Sequence, residues 1–564
     1  MKKKYSGIDK GLTNYGDQEF SKFLRRSFAK SMGYTNKSLN KPIVGICYTE
    51  SGFNNCHRNF PEILQSLKNG VLSNGALPIV FPMISLGETF LNPTSMMYRN
   101  LMSMCVEEMI TAQPMDSVIL LGGCDKNIPA LLMGSFSTNV PSVLMVPGPM
   151  ITGSYNNQRV GACTDCRKYW AQFRSNEISK KEIMEVENKL AMTSGTCPVM
   201  GTASTMAIIS EVLGIMPINS ATAPAIHADR LRIAERTGEI AATKILKKKI
   251  TAKNYINRKS FENALRVLFA ISGSTNAIIH LTAMARRLNI NINIKKINKI
   301  SDETPVLVNL KPVGTGYMED FHNAGGLDSV LYELKNSLNL ECINLEGVSL
   351  KDRVKKFNNK QTNRSFIFSK EKPIDKKGGL IVLFGSLAPE GAILKRAAAT
   401  PKLLEHEGKA IVFSSLRDLS KRIDNPNLKV SEKNILILKN AGPSSNVGMP
   451  EAGYLPIPKK LAKKGVKDMI RISDARMSGT AFGTIVLHVT PEGVNKGPLA
   501  VVKTGDTIRL SEKNKTIDLM ISKTELEKRL KKLKIRNDKV PRGYKKLYAE
   551  SVLPATEGCD FDFL

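Results

Sequence analysis

The sequence predicts two unlike halves: an α/β N-terminal domain built on a parallel sheet with many helices, and a mostly-β, barrel-like C-terminal domain. Three observations predict it. Strand-like and helix-like stretches alternate over the first 150 residues, helical apolar spacing dominates 178–310, and short apolar runs separated by Gly, Pro, Asn and Asp follow residue 379. The expected division is 1–370 and 371–564, with the polar, Lys/Asn-rich stretch 350–378 as the linker.

In the first half, PIVGICY (42–48), ALPIVFPMIS (76–85), DSVILLGGC (116–124) and PSVLMVPG (141–148) read as strands. They are continuously apolar, as strands covered on both faces must be. Between them, 61–75 reads as a helix with Ile63, Leu64, Leu67 and Val71 on one stripe. The next helix spans 92–113, with Asn92 as N-cap and Pro93 at the first helical position, and a short one spans 129–139. KEIMEVENKLAM, TASTMAIISEVLGI and FENALRVLFAISGSTNAIIHLTAMARRL continue the helical pattern. In the second half, GLIVLFGS, KAIVFSS, NILILKN, DMIRISD, GTIVLHV, PLAVVKTGDTIRL and TIDLMIS read as short strands.

Composition narrows the function. The chain has 564 residues, 42% hydrophobic and 24% charged, a globular composition too long for one core. No uninterrupted apolar run approaches a membrane span, and the basic start MKKKYSGIDK has no apolar stretch behind it, so a cytoplasmic location is expected. The net charge of +31 invites a nucleic-acid reading. Its basic residues are dispersed, however, and the densest clusters, at 295–298 and 527–539, lack interleaved aromatics; they read as solvated faces, and no nucleic-acid partner is expected. Nine cysteines in so long a chain do not make a disulfide scaffold.

Reactive side chains gather where open parallel sheets bind ligands, beyond the carboxyl ends of the strands. Cys56 follows the first strand, Glu88 the second, and Cys124, Asp125 and Lys126 the third. Charges at the end of a buried strand are costly unless paired or bound to a metal. A further thiol, Cys197, precedes a Gly-rich turn and a helix start, a position that favours a thiolate. Three thiolates suit zinc or an iron–sulfur cluster, and in a cluster would leave one iron open. Glu88 and Asp125 suit Mg²⁺. The second half offers Glu451 in GMPEAGY and Ser478 in SDARMSGTAFGT. Ser478 does not sit in a hydrolase elbow. The chain's one CxxC, Cys163 to Cys166, is expected to lie outside this set.

From about residue 40 to about 510, the segments GGCDK, GTCPVMGTASTMA, LAPEGA, GMPE and SDARMSGTAFGT, with VTPEG and GPLA, resemble the family of dihydroxy-acid, phosphogluconate and pentonate dehydratases. The resemblance implies a [2Fe–2S] cluster on Cys56, Cys124 and Cys197, and Mg²⁺ on Glu88, Asp125, Glu451 and a carbamylated Lys126. It implies Ser478 as the base, a small 2,3-dihydroxy acid as substrate, and a homodimer or homotetramer. SLGET in place of a VSDG-like turn, and DARMSGT in place of DGRFSGG, point to the sugar-acid branch acting on L-arabinonate or D-xylonate. The alternative is the branched-chain amino-acid enzyme acting on 2,3-dihydroxy-isovalerate.

Overall fold

A computed structural model describes residues 6–533 and 542–564; the basic cluster at 527–539 lies partly outside them. The first half holds a wholly parallel four-stranded sheet, ordered β2-β1-β3-β4: β1 (Ile43–Tyr48), β2 (Leu77–Pro82), β3 (Ser117–Leu121) and β4 (Ser142–Met145). Ile43 pairs with Leu77, Val44 with Ser117, and Val118 with Ser142. β3 and β4 are buried throughout, as their unbroken apolar sequences require. Helices cover the sheet at close range. A Cβ on Gly70 would stand 2.0 Å from the Glu235 carbonyl oxygen, so helix Phe60–Ser73 lies directly against helix Ala228–Ile240.

Two helix starts differ from expectation. The helix expected from Asn92 runs Ser95–Ala112 and is capped by Thr94 instead. The Thr94 hydroxyl accepts from the Met96 N–H and from Arg476, which holds the chain extended up to that residue. The helix expected from Pro129 runs Cys124–Ser137, so Cys124, Asp125 and Lys126 form its first turn rather than a strand end. Pro129, sixth in this helix, forgoes the bond to the Asp125 carbonyl and crowds it, yet the helix runs on to Ser137. The long helical run at 261–288 is two helices, Arg258–Ala270 and Asn276–Arg286.

A two-stranded hairpin, β5 (Gly153–Tyr155) and β6 (Gln158–Val160), precedes the helix Thr164–Ser175. The polar stretch 350–378 contains helix Leu350–Lys356 and the buried Ile367, which bridges to Val308.

The second half is an eight-stranded sheet ordered β14-β13-β9-β10-β11-β12-β8-β7. Its strands are β7 (Ile381–Leu383), β8 (Gly391–Leu394), β9 (Glu405–Phe413), β10 (Ile435–Leu438), β11 (Arg471–Ser473), β12 (Ile485–Thr490), β13 (Thr507–Ser511) and β14 (Thr516–Leu519). β9 to β12 run parallel and the outer pairs antiparallel. The two edges meet. Phe384, just past β7, donates its N–H to the Lys515 carbonyl at 2.9 Å and accepts from the Ile517 N–H at 2.8 Å. The sheet is thus nearly closed, which removes its unpaired edges. Along β10, Ile435 and Ile437 join one apolar cluster and Leu436 and Leu438 another, the period of two that a strand imposes. β8 was not expected, and the single strand expected over 498–510 is a 3₁₀ turn, Pro498–Val501, followed by β13.

Candidate active site

The carboxyl ends of the parallel strands in both halves face one another. Glu88 arrives after β2, Asp125 in the first turn of helix Cys124–Ser137, and Glu451 at the start of the 3₁₀ turn Glu451–Tyr454 beyond β10. One carboxylate oxygen from each lies within 4.8 Å of the other two. The fully buried Lys126 Nζ stands 3.4 Å from Glu88 Oε2 and 3.7 Å from Asp125 Oδ2, and makes no hydrogen bond.

The sequence reading passed over the residue that joins the halves. Arg476, buried in the loop after β11, donates to Glu88 at 2.6 Å and to Glu451 at 2.7 Å, one nitrogen to each. It stands two residues before Ser478, but its partners lie far off in the sequence. Burial pushes the Glu88 carboxyl up, but Arg476 and Lys126, with a hydrogen bond from Ser95, outweigh it and hold Glu88 at about 2. Burial and then the Glu88 charge push Glu451 up to about 7. Burial also raises Asp125. Three acids this close, with two of them resisting ionisation, form a donor set that a hard divalent cation would neutralise.

Beside the acids lie the thiols. Cys56 sits in the 3₁₀ turn Asn55–His57, and a hydrogen bond with Cys124, followed by burial, raises it. Cys124 adopts φ +63°, a left-handed conformation that costs a side-chain-bearing residue of order 1 kcal/mol or more and is found at functional sites. Cys197 is raised by Cys163 and by burial, and Cys56 lies near enough to add to the shift. The expectation for the CxxC is corrected here: Cys163 Sγ is 3.8 Å from Cys197 Sγ, and it also bonds Cys166. The β5–β6 hairpin returns the chain to the Cys197 loop, a proximity no local pattern encodes.

Ser478 is buried, and its Oγ lies 2.8 Å from Thr480 Oγ1. Its loop presses on the start of helix Thr202–Val212: a Cβ on Gly479 would be 2.7 Å from the Thr202 nitrogen, so only glycine fits. Several buried polar atoms of this region have no hydrogen-bond partner, among them His280 Nε2, Asn276 Oδ1 and both ring nitrogens of His488. The burial of His280 lowers its basicity, and the charges of Lys126, Arg99 and Arg476 lower it further, which places His280 within electrostatic reach of Lys126 and Arg476. Buried polar atoms left open in this way mark a site built to receive polar groups.

Among the described residues no helix is long and apolar enough to cross a membrane. The profile of the dihydroxy-acid/6-phosphogluconate dehydratase N-terminal domain matches residues 41–353, and that of the corresponding C-terminal domain matches 365–559. The chain is 40% identical to an L-arabinonate dehydratase of Rhizobium leguminosarum over 98% of its own length and 95% of the relative's. It is 38% identical to a 6-deoxy-6-sulfo-D-gluconate dehydratase of Pseudomonas putida, over 96% and 94%. A dihydroxy-acid dehydratase of Clostridium botulinum is 33% identical over 95% and 97%. With both domains matched and the site residues gathered between them, the chain belongs to the dihydroxy-acid/6-phosphogluconate dehydratase family and is a dehydratase, a hydro-lyase.

Proposed function

We propose that the chain dehydrates a 2,3-dihydroxy sugar acid, a pentonate such as L-arabinonate or D-xylonate, to its 2-keto-3-deoxy acid. The observation that carries the reading is the convergence of Glu88, Asp125 and Glu451 within 4.8 Å. The higher identity to relatives named for sugar acids supports that branch over the branched-chain one.

Glu88, Asp125, Glu451 and a carbamylated Lys126 would hold Mg²⁺, and Cys56, Cys124 and Cys197 a [2Fe–2S] cluster. The buried Lys126 amine, ion-paired with two carboxylates but making no hydrogen bond, fits conversion to a carbamate ligand, and the neighbouring thiols fit a sulfur-bound iron centre. When bound, the two groups supply Lewis acidity, one toward the substrate carboxylate and C2 oxygen, the other toward the departing C3 hydroxyl.

The chain's own residues do the rest. Ser478 Oγ takes the C2 proton. A serine hydroxyl is too weak a base unless its oxyanion is stabilised. The Thr480 hydroxyl at 2.8 Å and the Thr480 N–H at 3.4 Å can both donate to it. Arg476 holds Glu88 and Glu451 in place. Loss of the C2 proton and the C3 hydroxyl removes one water, and the resulting enol takes up a proton at C3 as it becomes the ketone.

The test is 2-keto acid formation by protein purified without oxygen, with Mg²⁺, from L-arabinonate, D-xylonate, other aldonates and 2,3-dihydroxy-isovalerate. Turnover of an aldonate alone is expected. Equal or faster turnover of 2,3-dihydroxy-isovalerate would assign the chain to branched-chain amino-acid synthesis instead.

A further inference from the structure

A second set of metal-ligating side chains stands apart from the thiols and acids. His227 is the residue before helix Ala228–Ile240, Asp229 is in that helix's first turn, and His322 is in the separate helix Met318–Asn323. One donor atom from each lies within 4.8 Å of the other two. We propose that His227, Asp229 and His322 bind a divalent transition-metal ion of the zinc class, which ties these two helices together.

The arrangement goes beyond a local ion pair. His227 Nδ1 meets Asp229 Oδ2 at 3.0 Å, while the other oxygen of Asp229 is held by Arg232. That pair would be complete without a third member. Yet His322 brings its ring to 6.0 Å from that of His227, and its Nδ1 lies 3.0 Å from the Thr222 hydroxyl. A ligating histidine characteristically fixes its ring through the other nitrogen, and a bond from Nδ1–H to Thr222 leaves the Nε2 lone pair for a metal. Two imidazoles and one carboxylate suit zinc and its neighbours, whereas magnesium prefers oxygen ligands alone. Three protein donors leave a position for water, and the half-exposed His227 leaves the site open to exchange.

The position gives the ion a structural consequence. Asn59, three residues past Cys56, donates to the Ala225 carbonyl at 3.3 Å, just before His227. The Met318 N–H donates to the Pro198 carbonyl at 2.8 Å, just after Cys197. An ion here would clamp the two segments that abut the Cys56 and Cys197 loops.

The test compares the Mg²⁺-saturated holoenzyme with H227A/H322A by equilibrium dialysis against micromolar Zn²⁺. Zinc taken up by thiols or by the acid site is common to both proteins and cancels. Wild type is expected to hold one more zinc per chain, and to gain thermal stability in zinc that the variant does not gain. Thr222→Val should raise the half-saturating zinc concentration about tenfold or more by freeing the His322 ring. Equal zinc content and equal melting shifts in wild type and H227A/H322A would overturn the proposal.

Discussion

The two sheets of this molecule solve the same placement problem with different backbones. The N-terminal sheet is short and wholly parallel, with buried inner strands, and residues beyond its strand ends present Cys56, Glu88, Cys124, Asp125 and Lys126. The barrel-like sheet is mixed and nearly closed, yet it too delivers Glu451 and Ser478 from beyond its parallel strands β10 and β11. Only the parallel core of each sheet serves the site; the antiparallel strands of the second close the barrel. The common rule is that parallel strands leave their loops on one edge, where side chains from successive crossovers converge. The division of labour differs. The first sheet gathers most of the candidate ligands, and the second adds one more, Glu451, with a clamp, Arg476, and a candidate base.

The largest effect should come from the ligand side. Cys124→Ser is expected to abolish turnover and bleach the visible absorbance of the anaerobically purified protein, while far-UV circular dichroism stays that of wild type. The first turn of helix Cys124–Ser137 supplies a thiol, one acid of the cluster, Asp125, and the buried Lys126, so this one change reports on much of the N-terminal contribution. A Cys124→Ser protein that kept its colour and its rate would remove the thiol from the site and with it the asymmetry between the halves.

What was legible in the sequence follows the same contrast. The four parallel strands could be read because each is an unbroken apolar run, and β1 to β4 stand where those runs stand. The barrel was legible strand by strand except at β8. β8, Gly391–Leu394, opens on a glycine directly after Pro389 and Glu390, so the turn signal dominates the local pattern. At the site, Cys56, Glu88, Cys124, Asp125 and Lys126 could be placed together because each follows a recognisable strand. Cys163 could not, because its approach to Cys197 depends on how a hairpin docks rather than on any local spacing. Arg476 was overlooked for a different reason. Its role is a long-range fork to Glu88 and Glu451, and nothing in its neighbours' sequence names those partners.

Arg476 is therefore where the comparison can be sharpened. It is fully buried and holds one carboxylate from each half. Removing one member of a buried ion pair typically costs about 3–5 kcal/mol, because the remaining charge stays uncompensated. Arg476→Met should lower kcat by roughly 100-fold or more, raise the Mg²⁺ concentration needed for half-maximal rate, and lower the urea midpoint. Arg476→Lys should recover only part of this, since an ammonium lacks the planar fork that reaches two carboxylates at once. If both variants matched wild type in rate and Mg²⁺ dependence, Glu88 and Glu451 would be positioned by their own loops and the two halves would be independent.

The last effect belongs to the barrel-like half and concerns stability rather than turnover. Lys395, directly after β8, is buried with no hydrogen bond to its Nζ, and burial alone pushes it down to about 7. In the unfolded chain a lysine titrates near about 10.4. Between about pH 7 and about 10.4 the unfolded state therefore holds the extra proton, and stability rises with pH through that window, by at most about 1.4 kcal/mol per pH unit. Below about pH 7 the penalty is fully present and constant. Lys395→Met removes the titrating group while keeping a long side chain, so its stability advantage should be greatest near pH 6.5 and shrink steadily towards pH 9.5. Urea midpoints of the two proteins across that range read the difference directly. Curves that stay parallel would mean that the Lys395 amine finds a partner or water in solution and carries no burial penalty there.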